Sequence, residues 1–256
     1  MKDEILPELR QLLELNKGIA IALIGAGGKT SLMSYLAHHL PAPIVCTTST
    51  KLAAEEAHLF DRHIVLQEGD MVLPEFPENG NAILLTGIPL EAEGIDKLSG
   101  LAEEQLLVLN QFCKASQIPL IIEADGSKRR PLKAPEAWEP VIPAFTDLVI
   151  TVVGLAGLMK PLNEENVFRS QIFSELTGLE SGQAVDLDSI LRFLKHPMGG
   201  QKGIPNQAKH FVLFNLAGCA YPELIDKNLI ETELCGLFDG IYSIELHFSK
   251  PRHHSL

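Results

Sequence analysis

Continuous apolar runs, not alternating ones, set the pattern of this chain. They fall at Ile19–Ile24, Ile44–Cys46, Ile64–Leu66, Ala82–Leu85, Leu120–Ile122 and Leu148–Val153, and further strands are expected at Lys209–Phe214 and Ile241–Leu246. Short runs of this kind, bounded by turn residues, read as strands buried on both faces. Helical spacing fills the intervals. Residues 3–16 place Ile5, Leu9, Leu12 and Leu13 on one face, with Pro7 in the first turn and Gly18 as the stop. Further helical stretches are expected after residue 28 and at 51–60, 99–116, 164–177, 187–195 and 222–235. Strands alternating with helices predict an α/β fold, a mostly parallel sheet with helices on both faces. Pro74, Pro77, Asn79 and Gly80 mark loops. Residues 1–256 read as one nucleotide-binding domain, with 154–208 as the candidate helical insertion.

The run at Ile19–Ile24 matters most, because it leads into Gly25-Ala26-Gly27-Gly28-Lys29-Thr30 and then Ser31 at the start of a helical stretch. A glycine loop between strand and helix turns backbone N–H groups inward, and the helix start adds partial positive charge. That is the chemistry of a phosphate cradle, and it makes the fold P-loop NTPase-like. Lys29 would reach the β- and γ-phosphates, and the Thr30 hydroxyl would hold Mg²⁺. The full eight-residue pattern would need glycine at Leu23, so this is the shortened form G-x-x-G-K-T.

A second apolar run ends in Glu123-Ala124-Asp125-Gly126. An acidic residue leaving a buried strand is where such proteins keep a further Mg²⁺ contact. Two apart in an extended chain, Glu123 and Asp125 point the same way. Glu123 and Gly126 also have the acid-x-x-Gly spacing of a γ-phosphate sensor. The competing reading is a solvated Asp-Gly turn. The cations Lys128, Arg129, Arg130 and Lys133 follow at once. They suit either an anion-binding edge, with Lys128 and Arg130 foremost, or a solvated charge run.

The hydroxyl cluster Thr47-Thr48-Ser49-Thr50, followed by Lys51, also ends a strand. Thr48 could touch the metal shell or the γ-phosphate; equally, Ser49 or Thr50 could cap a helix. Asn215 stands where guanine-reading proteins open an Asn-Lys-x-Asp motif, but Leu216-Ala217-Gly218 lacks both lysine and aspartate. Asn215 could approach a base or shape a turn. ATP is therefore at least as well supported as GTP.

Charge narrows the partners. The 256 residues carry a net charge of −12, with a pI near 5.2. That excludes nucleic acid as the main partner, and anionic membranes with it. No apolar run approaches the roughly 20 residues of a membrane-spanning helix. Met1-Lys2-Asp3-Glu4 offers no signal-peptide core, so a cytoplasmic location is expected. Cys46, Cys113, Cys219 and Cys235 lack CxxC spacing and are expected as buried free thiols. His38, His39, His58 and His63 have no ligand spacing, and His253-His254 is too short for a metal tract.

Taken together, these stretches resemble the YqeC family, described as selenium-dependent hydroxylase accessory proteins. The resemblance rests on Gly25–Thr30, Thr47–Leu52 and above all the block Glu123–Pro135. It continues in Glu139–Pro143, Val153–Leu155, Lys160–Leu162 and Lys202–Pro205. It implies a cytoplasmic nucleotide-binding accessory factor in the maturation of selenium-dependent molybdenum hydroxylases. Such a hydroxylase, or its cofactor, would then be the partner.

The leading reading is a Mg²⁺-dependent NTPase or nucleotide-using transferase. Its site would comprise Gly25, Ala26, Gly27, Gly28, Lys29, Thr30, Ser31, Thr48, Lys128, Arg130 and Asn215 around ATP or GTP. Lys29, Glu123 and Asp125 would act on the reaction, and Thr30, Glu123 and Asp125 on the metal. Three alternatives stay open: a Mur-like ATP-dependent ligase, a metal-chaperone GTPase and a non-catalytic nucleotide-binding regulator.

Overall fold

The computed structural model describes residues 1–2, 4–41, 43–70, 82–92 and 95–246. The loop markers Pro74, Pro77, Asn79 and Gly80, and the tail histidines, lie outside the described residues. The strands are β1 (Ala20–Ala26), β2 (Ile44–Thr48), β3 (Leu52–Ala53), β4 (Arg62–Val65), β5 (Ala82–Thr86), β6 (Pro89–Ala92), β7 (Ile95–Leu98), β8 (Leu120–Glu123), β9 (Leu132–Lys133), β10 (Leu148–Gly154), β11 (Val167–Phe168), β12 (Lys209–Asn215) and β13 (Gly240–Ile244). The α-helices are α1 (Leu6–Leu15), α2 (Lys29–His39), α3 (Glu103–Ser116), α4 (Ser170–Thr177), α5 (Leu187–Lys195) and α6 (Lys227–Leu234).

Among the described residues eight strands form one sheet in the order β13-β12-β10-β1-β8-β2-β5-β4. Every pairing in it is parallel. Parallel strands need both faces covered, and the packing supplies that cover. Leu9 of α1 and Leu32 and Leu36 of α2 pack on Ile21, Leu23 and Ile121. Leu106 and Leu109 of α3 pack on Val45, Ile83 and Ile122 of the opposite face. Val212 and Phe214 lie with Ile190 and Leu194 of α5 and Ile230 of α6. Successive side chains of a strand point to opposite faces, so Val45, Ile83 and Ile122 go to α3 while Ile44, Cys46 and Ile121 go to α2.

Some expected helices are shorter, each for a local reason. Residues 51–60 hold strand β3 and a 3₁₀ helix, Ala54–Leu59, and no α-helix begins at Ser49 or Thr50. Leu52 and Ala53 instead pair with β7 in a small antiparallel sheet. The stretch 164–177 opens with a turn followed by β11, and helix α4 begins only at Ser170. Glu164 Oε1 accepts from Ser170 N–H at 2.7 Å and so satisfies the helix start. Residues 222–235 divide into a 3₁₀ turn and α6, whose start is set by Asp226 accepting from the N–H groups of Asn228 and Leu229. The four cysteines are free; Cys46 and Cys113 are buried as expected, whereas Cys235 is exposed. Among the described residues no helix is long and apolar enough to cross a membrane.

The order of the sheet positions the site. Strand β1 has β8 on one side and β10 on the other, and the chain leaves β1 for β2, two places away. At such a switch point the loops at the strands' C-terminal ends diverge and leave a crevice. The ends of β1, β8 and β2 bring the glycine loop, the acidic turn and the hydroxyl cluster to that edge.

Candidate functional site

The glycine loop passes close over β10. A Cβ at Gly25 (φ 92°) would lie 2.2 Å from Val152 O, and one at Gly27 (φ 75°) 2.5 Å from Gly154 Cα. Both obstacles are backbone, so only glycine fits. Gly28 is the N-cap of α2 and offers no side-chain cap. The amides of the first turn, which includes Thr30 and Ser31, thus have no side-chain acceptor there. Ala26 is buried and helps seat the loop.

Lys29 sits at the centre of this edge, with 3 % of its surface exposed. Its Nζ donates to Gly25 O at 2.8 Å and lies 3.2 Å from Asp125 Oδ1 and 3.6 Å from Glu123 Oε1. Burial alone would lower its pKa; the charges of Asp125 and Glu123 outweigh that, and the ammonium is held protonated. Glu123 is the reverse case. Burial raises its pKa, and Asp125 adds to that, against the opposing pull of Lys29 and the Thr30 hydroxyl. Thr30 Oγ1 donates to Glu123 Oε2 at 2.9 Å.

Asp125 does a different job. Its Oδ2 accepts from Gly25 N–H at 3.0 Å and lies 2.9 Å from Lys133 Nζ. Its Oδ1 is buried without an aligned hydrogen bond, although Lys29 stands nearby. Glu123 and Asp125 thus face the same lysine, as their spacing suggested. The oxygens of Thr30 and Glu123 suit a hard cation such as Mg²⁺, which keeps several waters and needs one or two carboxylates, whereas Asp125, expected beside them, faces Gly25 N–H, Lys29 and Lys133.

The charge pattern continues away from the loop, and this part escapes sequence reading. Lys133 Nζ is surrounded by Asp125, Glu139 Oε2 at 2.8 Å and Gly126 O at 2.8 Å. Arg169 then donates to Glu139 through Nη1 at 2.5 Å and Nη2 at 3.2 Å. Burial pushes the Glu139 carboxyl up, but hydrogen bonds and charge from Arg169 and Lys133 more than offset this and hold it below the usual range. Signs therefore alternate from Glu123 through Lys29, Asp125, Lys133 and Glu139 to Arg169. Removing one member of such a buried pair costs roughly 3–5 kcal/mol, since it strands the partner's charge.

Glu56, in the 3₁₀ helix, is also a residue that sequence reading passes over. It is nine-tenths buried, and burial, then the charge of Glu123, pushes its carboxyl up to about 7. A carboxylate in a short helix carries no local signal of this; only its place behind α2 does.

The remaining expected residues divide. Thr48 Oγ1 donates to Glu123 O at 3.0 Å and accepts from Thr50 N–H at 3.1 Å, so it ties β2 to β8. Ser49 Oγ donates to Val141 O, and Lys51 is exposed. Asn215 Nδ2 donates to Gly27 O at 2.8 Å, while its Oδ1 accepts from Ala217 and Leu246 N–H groups. That amide braces the glycine loop from β12. Arg130 Nε donates to Glu164 O at 2.8 Å, and Lys128 Nζ lies 5.4 Å from the Phe168 ring centre. Arg129 crosses instead to Glu55.

Residues 21–171 match the family model described as YqeC protein. The chain is similar to the uncharacterized protein YqeC of Escherichia coli (strain K12), with 31% identity over 198 residues, 76% of this chain and 75% of that one. No solved structure matches it.

Proposed function

This chain belongs to the YqeC family, and we propose that it binds a nucleoside triphosphate with Mg²⁺ on the Gly25–Thr30 loop. It uses that nucleotide, as an NTPase or a nucleotide-using transferase, in the cytoplasmic maturation of selenium-dependent molybdenum hydroxylases. One observation carries the nucleotide reading: Thr30 at the uncapped start of α2 bonds to Glu123 at the end of the neighbouring strand, with Lys29 beside both. The maturation role rests on the family resemblance.

The roles divide by what each group already holds. Gly25 N–H is given to Asp125, so the phosphate cradle falls to the amides that follow it. Lys29 supplies a fixed positive charge in a site shielded from water, where it counts for more. Thr30 and Glu123 hold the metal, which when bound neutralises charge across the phosphates. Asp125 fixes the loop and Lys29 in place.

Calorimetry with Mg-ATP and Mg-GTP, followed by phosphate release, tests the site. A wild-type protein that binds neither nucleotide sinks the reading; binding without turnover in the presence of a hydroxylase partner reduces it to a regulator. Loss of the gene should leave the hydroxylase protein present but poor in selenium.

A further inference from the structure

The turn Ser127–Arg130 breaks a local rule. Arg130 N–H closes it onto Ser127 O at 2.9 Å, and both central residues are left-handed, Lys128 at φ 47° and Arg129 at φ 60°. Turns with two positive-φ central residues normally carry Asn, Asp or Gly there. This one carries two long cations, and unusual backbone of this kind gathers at functional sites.

The cations of the turn leave in opposite directions. Lys128 lies over Phe168 and Arg130 reaches Glu164 O, both on the side of β11. Arg129 alone goes toward the 3₁₀ helix Ala54–Leu59, where it pairs with Glu55. That helix is fastened to the one bearing Lys29 and Thr30, because Ser34 Oγ of α2 donates to Leu59 O at 3.1 Å. Its Glu56 lies within electrostatic reach of Arg129, Lys29 and Glu123 together. The 3₁₀ helix that Arg129 reaches is therefore tied to the helix that carries Lys29 and Thr30. Both members of the Arg129–Glu55 ion pair are open to water, at 60% and 64% side-chain exposure. Such a pair is weak and readily exchanged.

We propose that Arg129 reads the terminal phosphate of a bound nucleoside triphosphate, and that Glu55 is the carboxylate on which it rests until that phosphate replaces it. The inference depends on the nucleotide reading above. A guanidinium is suited to the exchange, since its planar fork takes a carboxylate or a phosphate in the same geometry. The left-handed turn fixes where that fork starts, so the side chain swings between two anions without moving the sheet.

The test uses equilibrium binding of Mg-ATP, Mg-GTP, ADP and GDP to the full chain. The variants are Arg129→Ala, Arg129→Lys and Glu55→Gln. Arg129→Ala should weaken triphosphate binding about tenfold or more, as expected for losing a charge-assisted contact, and diphosphate binding far less. Arg129→Lys should recover only part of the loss. Glu55→Gln should strengthen triphosphate binding, because it frees the arginine. The two halves of one ion pair then give opposite signs, which a merely structural surface pair cannot do. Shifts in the same direction, equal losses for di- and triphosphate, or wild-type triphosphate affinity in Arg129→Ala would overturn the proposal and leave the nucleotide site standing. Wild-type protein that binds no nucleotide would bring down both.

Discussion

Thr30 Oγ1 donates to Glu123 Oε2 at 2.9 Å across 93 residues of chain. The contact exists because β8 lies beside β1 in register, Leu23 opposite Glu123, so the end of one strand meets the start of the helix that follows the other. A hydroxyl and a carboxylate held together at the start of a helix are the least that a phosphate-bound Mg²⁺ needs from a protein.

Thr30→Val keeps the shape of that residue and removes the hydroxyl. Mg²⁺-dependent triphosphate binding should fall steeply, while binding measured in chelator changes little. Folding stability should drop by about 1–3 kcal/mol, because Glu123 loses a buried donor. Calorimetry with and without Mg²⁺ checks the first expectation and urea unfolding the second. An unchanged Mg²⁺ dependence would remove Thr30 from the metal site.

Lys29 is a structural cation as well as a candidate phosphate ligand. Lys29→Met leaves Glu123 without a cation and Asp125 with Lys133 alone, and should cost roughly 3–5 kcal/mol of stability. Adding Asp125→Asn to that variant should restore part of the loss. Urea midpoints of the wild type, the single and the double variant decide this. No loss in Lys29→Met would mean that the ion pairs contribute nothing to the fold. Loss of nucleotide binding in any Lys29 variant has to be read against its folded fraction.

Gly25→Ala should be severe, costing roughly 3 kcal/mol or more, because strain at positive φ is joined by a backbone clash. Val152 O, only 2.2 Å from the new Cβ, belongs to the central sheet and cannot step aside. Gly182→Ala is the control: its φ of +84° brings strain, but no atom of the described residues lies within 4 Å. That change should cost only about 1–2 kcal/mol. Equal losses in thermal unfolding would mean that the glycine loop has room to spare.

Glu56 makes stability depend on pH in an unusual direction. Its folded pKa of about 7 lies above the ordinary 4.5, so between those values the folded chain binds more protons than the unfolded one. Its contribution is then present below the lower value and is lost as pH rises through the upper. Glu56→Gln removes the titration and should stabilise the protein at pH 8 by roughly 1–3 kcal/mol relative to its effect near pH 4.5. Unfolding curves at both pH values test it; the same difference at each would show that Glu56 does not titrate in this window.

Local rules carried the sequence a long way. Gly25, Gly27 and Lys29 at a strand-to-helix junction marked the loop, because tight backbone approach and an open helix start each demand particular residues. Continuous runs such as Leu148–Val153 marked the parallel sheet, because strands covered on both faces leave no polar alternation. The spacing of Glu123 and Asp125 placed both on one side, since strand geometry repeats every two residues. What remained invisible were the pairings. Lys133 with Glu139 and Arg169, Asn215 bracing Gly27, Glu56 behind α2 and Arg129 turned to Glu55 all join segments that carry no mark of each other. Strand order decided them, together with burial for all but the exposed Arg129–Glu55 pair. Once β8 lay between β1 and β2, charges placed beyond the reach of water had to find opposite charges among whatever side chains the fold had brought within a few ångströms.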